Sequence, residues 1–133
     1  MTSQRVASVH MIDAGATIAI IDDDPGIRTG LTKLLHSGSY KALAYESAEE
    51  FFAHAGTREI ACLIVDINLP GINGVEMVKR LRQSGAATPA ILMTGRDDAS
   101  TEQLLDEAVD VPKLRKPFTA ADLLETVMVV MHG

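Results

Sequence analysis

The stretch ACLIVDINLPGING, residues 61–74, carries the strongest structural signal in the chain. Its first five residues are apolar, Asp66 follows them, and the remainder is rich in proline, glycine and asparagine. An apolar run without alternation is typical of a β-strand that helices cover on both faces, and turn residues mark the place where such a strand ends. We therefore predict a buried parallel strand over residues 61–66, with Asp66 at its carboxyl end.

Similar short apolar runs occur on both sides of this stretch, and each is followed by a segment with helical spacing. The alternation predicts five β-α units. Right-handed crossovers place helices on both faces of a parallel sheet, so the expected fold is an open, doubly wound α/β domain. The predicted strands are residues 17–22, 41–45, 61–66, 90–94 and a weak one over 111–115.

Capping residues mark the helix starts. The predicted starts are Asp24 with Pro25 at the first position, a point near Gly74, Ser47 and Ser100 with capping-box spacing, and Thr119 as a near variant. The last helix is predicted over residues 121–131 and is apolar on more than one face near its end. We expect its exposed part to form a dimer or partner surface, with a frayed terminus as the alternative.

The composition indicates one soluble globular domain. The chain has 133 residues, of which 47% are hydrophobic, 23% charged and 4% aromatic, which suits a single packed core. No apolar run reaches the roughly 18 residues that span a bilayer, and no secretory signal precedes the first strand, so we expect a cytoplasmic protein without membrane contact. The net charge of −6 and the scattered cations argue against direct binding of nucleic acid.

Two further expectations follow from the ends and the cysteine. Residues 1–15 are predicted to form a flexible tail, with a short extra strand over residues 6–12 as the alternative, and residues 16–133 form the domain.

Cys62 is the only cysteine, so no internal disulfide can form. We expect it to be buried as a small hydrophobic residue.

Polar residues follow four of the five predicted strands. They are Asp22, Asp23 and Asp24 after the first strand, Asp66 after the third, Thr94 and Gly95 after the fourth, and Lys116 after the fifth. Taken singly, each is explained by a helix cap, a turn or a solvated charge. Because carboxyl ends of parallel strands meet at one edge, the combination supplies an acidic site suited to Mg²⁺, a carboxylate nucleophile, a hydroxyl and a cation. Phosphoryl transfer to a carboxylate requires this set of groups.

Four motifs stand in a fixed order along the chain: Asp22-Asp23, Asp66 with Leu69-Pro70-Gly71 and Gly74, Thr94-Gly95, and Lys116-Pro117-Phe118. In these motifs the chain resembles the receiver domain of two-component response regulators over about residues 17–131, and this resemblance implies a flavodoxin-like five-stranded sheet in the order 2-1-3-4-5. The stretch over residues 45–51 is more similar to receivers of helix-turn-helix transcription regulators than to the chemotaxis type.

The resemblance implies a metal site and a phosphorylation site. Asp66 would be phosphorylated, Asp23 would bind Mg²⁺ directly, and Asp22 would act through a bound water. Asp66 itself and the backbone carbonyl of Asn68 would complete the protein ligands, and Mn²⁺ can substitute for Mg²⁺.

The resemblance also implies how the phosphoryl group is held and delivered. Thr94 and Lys116 would bind it, and the Lys116-Pro117 peptide bond is often cis in the family. The donor would be a sensor histidine kinase, a histidine phosphotransfer protein or a small phosphodonor. We expect Asn68 and Arg96 to flank the path of attacking water and to modulate the lifetime of the phosphoryl group.

The chain departs from the family pattern after the fourth helix. Receivers usually carry Tyr or Phe three positions before the lysine, where this chain has Lys113. Because a lysine is costly to bury, we expect Lys113 to face solvent and the coupling of Thr94 to the fourth-helix face to be weakened or rewired. Residues 107–112 lack the usual Gly-Ala and contain Pro112, so we expect an irregular helix end and a short fifth strand.

Four functional readings stay open from the sequence. The first is a stand-alone receiver without substrate turnover of its own, acting through a protein partner on the face of helix 4, strand 5 and helix 5. The second is the receiver part of a DNA-binding regulator. The third is a phosphatase with Asp22 and Asp24 as nucleophile and acid, and the fourth is an interaction module with a degenerate switch.

Overall fold

The computed structural model describes residues 15–55 and 59–132. Its elements alternate strictly between strand and helix, as the apolar periodicity predicted. The elements are β1 (Thr17–Ile21), α1 (Pro25–Ser37), β2 (Lys41–Tyr45), α2 (Ala48–His54), β3 (Cys62–Asp66), α3 (Gly74–Gln83), β4 (Ala90–Thr94), α4 (Ala99–Glu107), β5 (Lys113–Arg115) and α5 (Ala120–His132). The tail predicted over residues 1–15, and the alternative strand at 6–12, lie outside the described residues except for Gly15.

The five strands form one parallel sheet in the order β2-β1-β3-β4-β5. This confirms the predicted doubly wound, flavodoxin-like fold. Every residue of β3 and β4 is buried, whereas the edge strands β2 and β5 are partly exposed. The central strands therefore show the continuous apolar pattern because neither of their faces meets water.

Helices cover both faces of the sheet, and each face has its own apolar core. Helices α2, α3 and α4 pack on one face, for example through Phe51 and Val78. Helices α1 and α5 pack on the other, for example through Leu35 and Leu123. The carboxyl ends of the strands stay uncovered at one edge, which is where the polar residues of the sequence motifs lie.

Two predicted strand bounds differ from the structure by one residue. The first strand ends at Ile21, and the third begins at Cys62. The backbone hydrogen bonds nevertheless continue, since Asp22 N donates to Tyr45 O at 3.1 Å and Ala61 N donates to Thr17 O at 2.8 Å. The difference is therefore one of assignment at frayed ends rather than of chain path.

The predicted start of α4 at Ser100 was wrong, because Asp98 is the N-cap. Its carboxylate accepts a hydrogen bond from Thr101 N at 2.8 Å, and Ser100 Oγ donates to the same oxygen at 2.9 Å. An aspartate two positions earlier thus outcompetes the serine for the free backbone N–H groups of the first turn.

Helix α5 is one residue longer at each end than predicted. Asp122 N donates to Thr119 Oγ1 at 3.0 Å, and Thr119 N donates to Asp122 Oδ2 at 3.2 Å. The near variant at Thr119 is therefore a complete reciprocal capping box.

The end of α4 is irregular and β5 is short, as predicted, although β5 begins at Lys113 rather than at residue 111. The expectation that Lys113 faces solvent was wrong. Its Nζ donates to the backbone carbonyls of Ala108 and Val111, the latter at 2.6 Å. Burial lowers the pKa of Lys113, and the charge of Asp110 partly opposes this effect. α4 has no glycine cap, and the Lys113 ammonium is an additional donor to the carbonyl of its C-cap residue Ala108, which also accepts from Val111 N at 3.1 Å.

Two other expectations concern the thiol and the membrane. Cys62 is fully buried in the core, as expected, and burial raises the pKa of its thiol to about 12. Among the helices of the described residues, none is long and apolar enough to cross a bilayer.

Candidate functional site

Three carboxylates meet at the carboxyl edge of the sheet. Asp22 and Asp23 follow β1, and Asp66 ends β3, which pairs directly with β1. One carboxylate oxygen from each of the three lies within 4.8 Å of the others. Asp22 and Asp66 are buried and Asp23 is exposed. The strand pairing therefore creates the acidic cluster that the sequence predicted.

Asp22 lies deepest in this cluster, and its position is fixed on several sides. Its Oδ1 accepts from Asp24 N at 2.9 Å, and its Oδ2 accepts from Lys116 Nζ at 3.0 Å. Arg28 Nη1 donates to its backbone carbonyl at 2.7 Å. Burial raises the pKa of Asp22, although the hydrogen bonds from Asp24 and Lys116 partly oppose this effect. A buried acid of this kind gains most from a nearby cation.

Lys116 supplies such a cation from the end of β5. Its Nζ lies 3.0 Å from Asp22 Oδ2 and 3.6 Å from Asp66 Oδ2. The Lys116-Pro117 peptide bond is cis, as the family resemblance implied. From the sequence alone, a solvated side chain was the alternative for Lys116. In the structure Lys116 points into the site and lies between Asp22 and Asp66.

Thr94 ends β4 and is buried. Its Oγ1 has no hydrogen-bond partner among the residues that the structure describes. A buried hydroxyl without a partner is uncommon in folded proteins. The strand carrying it lies beside β3, with Met93 paired to Asp66, so this hydroxyl can donate to a ligand oxygen at the same edge.

The loop after Asp66 is held tightly against the start of α3. A Cβ atom at Gly74 would lie 2.6 Å from the Asp66 carbonyl oxygen and 2.9 Å from the Cα of Ile67. Gly74 N donates to Ile67 O at 3.1 Å, and Asn68 N donates to Asp66 Oδ1 at 3.0 Å. Only glycine permits this approach, which packs the start of α3 directly against the backbone of Asp66 and Ile67.

Two residues that sequence reasoning missed contact the site. Arg28 reaches back from α1 to Asp22, and the hydroxyl of Thr101 in α4 lies 3.2 Å from the Asn68 Oδ1. The sequence does contain a signal for Thr101, because an N-cap at Asp98 places Thr101 in the first turn of α4, which faces the site. No comparable pattern marks Arg28, whose direction depends on how α1 packs.

The structure does not bring every predicted residue to the acidic cluster. Arg96 is exposed, and its charge acts on Asp98, whose pKa is lowered chiefly by hydrogen bonds from Thr101. Lys113, which was predicted as an atypical switch position and not as part of the cluster, begins β5, and its ammonium contacts the backbone carbonyls of Ala108 and Val111. Arg96 and Lys113 therefore both lie near α4.

The cluster fits a hard divalent cation. Carboxylate and carbonyl oxygens are the ligands that Mg²⁺ prefers, and Mg²⁺ commonly uses a few carboxylates together with water. Three such acids converge here, and burial, with a smaller contribution from the charge of Asp66, raises the pKa of Asp22, so a cation beside them would stabilise the ionised carboxylates. The donor set and its electrostatics thus both favour a cation.

Comparison with known proteins agrees with this arrangement. The sequence model described as the response regulator receiver domain matches residues 18–128. The transcriptional regulatory protein FixJ of Azorhizobium caulinodans is 33% identical over 112 residues, which is 83% of this chain and 52% of that protein. The chain spans about half the length of the curated relatives it matches.

Solved structures show the same fold. A response regulator receiver protein from Burkholderia phymatum superposes with a TM-score of 0.75 at 32% identity, covering 88% of this chain and 95% of that one. A chemotaxis protein of Vibrio cholerae superposes with a TM-score of 0.76 at 28% identity, covering 88% and 99%. Over the residues that superpose, these proteins have the same overall fold as this chain.

Proposed function

The chain belongs to the response regulator receiver domain family of two-component signalling systems, and from this premise we propose that Asp66 accepts a phosphoryl group in a Mg²⁺-dependent reaction in the cytoplasm. The donor is the phosphohistidine of a sensor histidine kinase or of a histidine phosphotransfer protein. The observation that carries the proposal is the placement of Lys116 Nζ within 3.6 Å of both buried acids. The protein turns over no separate substrate.

The chemistry is a displacement at phosphorus. A carboxylate oxygen of Asp66 forms the new O–P bond while the P–N bond to the donor imidazole breaks, and the bonding electrons leave with the imidazole nitrogen. Both Asp66 oxygens are already oriented, since Oδ1 accepts from Asn68 N and Oδ2 faces Lys116. The acceptor therefore needs little reorganisation before it attacks.

Protein groups around Asp66 would stabilise the transferred phosphoryl group. The ammonium of Lys116 neutralises charge that spreads over the phosphoryl oxygens, and the Thr94 hydroxyl, which has no partner within residues 15–55 and 59–132, donates to one of them. Asp22, Asp23, Asp66 and the Asn68 carbonyl would hold Mg²⁺, with Asp22 acting through water. When bound, Mg²⁺ supplies further neutralisation of phosphoryl charge.

An apolar groove beside Lys116 offers the donor protein a docking surface. It has a volume of about 560 Å³ and runs between α1 and the segment after β5. Its α1 side is lined by Gly26, Gly30 and the apolar side chains of Ile27, Leu31 and Leu34, and Phe118 lines the opposite side. A donor must cover this edge of the sheet to bring its phosphohistidine to Asp66, so we assign the groove to that protein.

Incubation with Mg²⁺ and acetyl phosphate, followed by intact mass measurement, tests the proposal. The wild type is expected to gain the mass of one phosphoryl group, and Asp66→Asn and an EDTA-treated sample are expected to gain none. Asp97→Asn is a matched control, because Asp97 is an exposed aspartate paired with Arg115 outside the cluster. Equal modification of the wild type and Asp66→Asn would refute the assignment.

Asn68 and Arg96 are proposed to set how long the phosphoryl group persists. Asn68 lies next to Asp66 through its backbone hydrogen bond, and exposed Arg96 follows Thr94 by two residues. Substitution of each by alanine is expected to change the decay rate of phospho-Asp66. Unchanged decay in both variants would place the control of water access elsewhere.

Output is proposed to pass through the face formed by α4, β5 and α5. Apolar side chains are exposed on this side of the molecule at Val109, Met128 and Val129, which suits a protein partner or a second copy of the chain. Light scattering with and without beryllofluoride tests self-association. A monomer in both conditions would leave a different protein as the partner of this face.

A second candidate is the receiver part of a DNA-binding transcription regulator. The observation that favours it is that the chain matches about half of relatives such as FixJ, which is named a transcriptional regulatory protein. The reading frame beyond Gly133 tests this candidate. A helix-turn-helix segment there would support it, and a stop codon would support a stand-alone module.

A further inference from the structure

Thr101 is the one fully buried residue of α4. Its hydroxyl reaches across 33 positions of sequence to the Oδ1 of Asn68 at 3.2 Å. A buried hydroxyl costs stability unless it is hydrogen-bonded, and this contact is the partner that the structure provides. The bond therefore joins the first turn of α4 to the loop that follows the acceptor Asp66.

The position of Thr101 is fixed from its own helix. Asp98 caps α4 and accepts from the backbone N–H of Thr101 at 2.8 Å, and Ser100 Oγ binds the same carboxylate oxygen at 2.9 Å. The hydroxyl thus projects from a rigid, capped turn rather than from a loop. Because its anchor is rigid, it can hold the Asn68 amide in one orientation.

Asn68 in turn contacts Asp66. Its backbone N–H donates to Asp66 Oδ1 at 3.0 Å, so Thr101 is connected to the acceptor carboxylate by two successive hydrogen bonds. We propose that Thr101 is a positioning residue for the phosphoryl chemistry: its hydroxyl holds the Asn68 side chain and thereby the carbonyl and N–H that Asn68 presents to the metal and to Asp66. This inference rests on the proposed function of Asp66.

Removing the hydroxyl leaves the Asn68 amide oxygen without its partner. Residues that orient metal ligands through a second hydrogen bond typically change metal affinity by about 10-fold to 100-fold when substituted. Thr101 acts on the side chain of Asn68 and only indirectly on its carbonyl. We therefore expect Thr101→Val to weaken Mg²⁺ binding by about tenfold, whereas Thr101→Ser keeps the hydroxyl and wild-type affinity.

Four proteins test the proposal: Thr101→Val, Thr101→Ser, Asn68→Ala and the Thr101→Val/Asn68→Ala double variant. Without metal, the side-chain amide NMR signals of Asn68 are expected to move in Thr101→Val and to stay in Thr101→Ser. Calorimetric titration with Mg²⁺ is expected to give the affinity loss above in Thr101→Val. In the double variant the loss should not exceed that of Asn68→Ala alone, because Thr101 acts through Asn68.

Independent, multiplying losses in the double variant would overturn the proposal, as would wild-type affinity in Thr101→Val. An equal loss in Thr101→Ser would also overturn it, since the hydroxyl would then not be the cause. A separate experiment shows whether the proposed phosphoryl-acceptor function fails. If acetyl phosphate leaves the wild type unmodified while Mg²⁺ still binds, the acceptor role of Asp66 fails and the affinity comparison still decides the role of Thr101.

Discussion

Replacing Lys113 by methionine should destabilise the protein, because the ammonium closes the open end of α4. Its Nζ donates to the carbonyl of Ala108, the C-cap of α4, and to the carbonyl of Val111 in the turn that follows; Ala108 O also accepts from Val111 N at 3.1 Å. Methionine keeps the length and the apolar stem of the side chain but has no donor and no charge. The variant therefore removes the hydrogen bonds and leaves most of the packing in place.

The expected size of the effect is about 1 kcal/mol in the free energy of unfolding. A hydrogen bond from a charged group contributes about 1.5–3 kcal/mol, and a cation at a helix C-terminus contributes about 0.3–1 kcal/mol. The end of α4 is partly exposed, so water replaces much of what is lost, and the variant also escapes the cost of burying the Lys113 charge. A net loss of about 1 kcal/mol lowers Tm by about 3 °C in a domain of this size.

Urea unfolding at pH 7, followed by circular dichroism, measures this quantity. Lys79→Met is the matched control, because Lys79 lies near the same end of α4 in an exposed pair with Glu107, and such pairs contribute little. Lys113→Arg, which retains a charged donor, should lie between the wild type and Lys113→Met. Equal stability of the wild type and Lys113→Met would refute the capping role, and so would an equal loss in Lys79→Met.

Four further outcomes are expected. Gly74→Ala should destabilise by about 2 kcal/mol in urea unfolding, because its Cβ would clash with backbone, whereas Gly30→Ala in open space should stabilise slightly; equal effects would refute the packing argument. Above pH 9 the thiol of Cys62 ionises in the unfolded protein but stays protonated in the folded protein, where its pKa is about 12. The free energy of unfolding should therefore fall with rising pH by about 1.4 kcal/mol per pH unit more in the wild type than in Cys62→Ala. Mg²⁺ should raise Tm in the wild type and less so in Asp23→Asn, so an identical rise in both would exclude Asp23 as a ligand. Because Lys113 replaces the usual aromatic residue, beryllofluoride should shift the NMR signals of the α4 face only weakly, and an ordinary large shift would refute the altered coupling.

The features predictable from sequence were those set by local pattern. Continuous apolar runs predicted the central strands because helices bury both of their faces, and Asp66 was identifiable because it interrupts such a run at a turn. Gly74 was recognised as part of a motif, but the requirement for glycine at this position comes from its close contact with the Asp66 carbonyl, which only the folded backbone shows. Local pattern thus located the edge of the sheet at which the site lies.

The features that sequence did not predict depend on distant partners or on competition between neighbours. Ser100 and Asp98 both offer a capping oxygen, and the backbone path before α4 decides between them. The direction of Lys113 follows from its hydrogen bonds to the carbonyls of Ala108 and Val111 after α4, which no sequence pattern around Lys113 indicates. Thr101 contacts Asn68 across two β-α connections, so its role becomes visible only when both loops are in place.

The contact of Lys116 with Asp22 has a consequence for how the site is charged. The ammonium, 94 positions along the chain from Asp22, acts as a tethered internal counterion that lets the acids be buried together before any ion arrives from solution. A divalent ion held by Asp22, Asp23 and Asp66 would share these carboxylates with the Lys116 ammonium, so its affinity would depend on that competition. With its carboxylates partly taken by the ion, Lys116 would have hydrogen-bonding capacity left for the phosphoryl group of the proposed reaction.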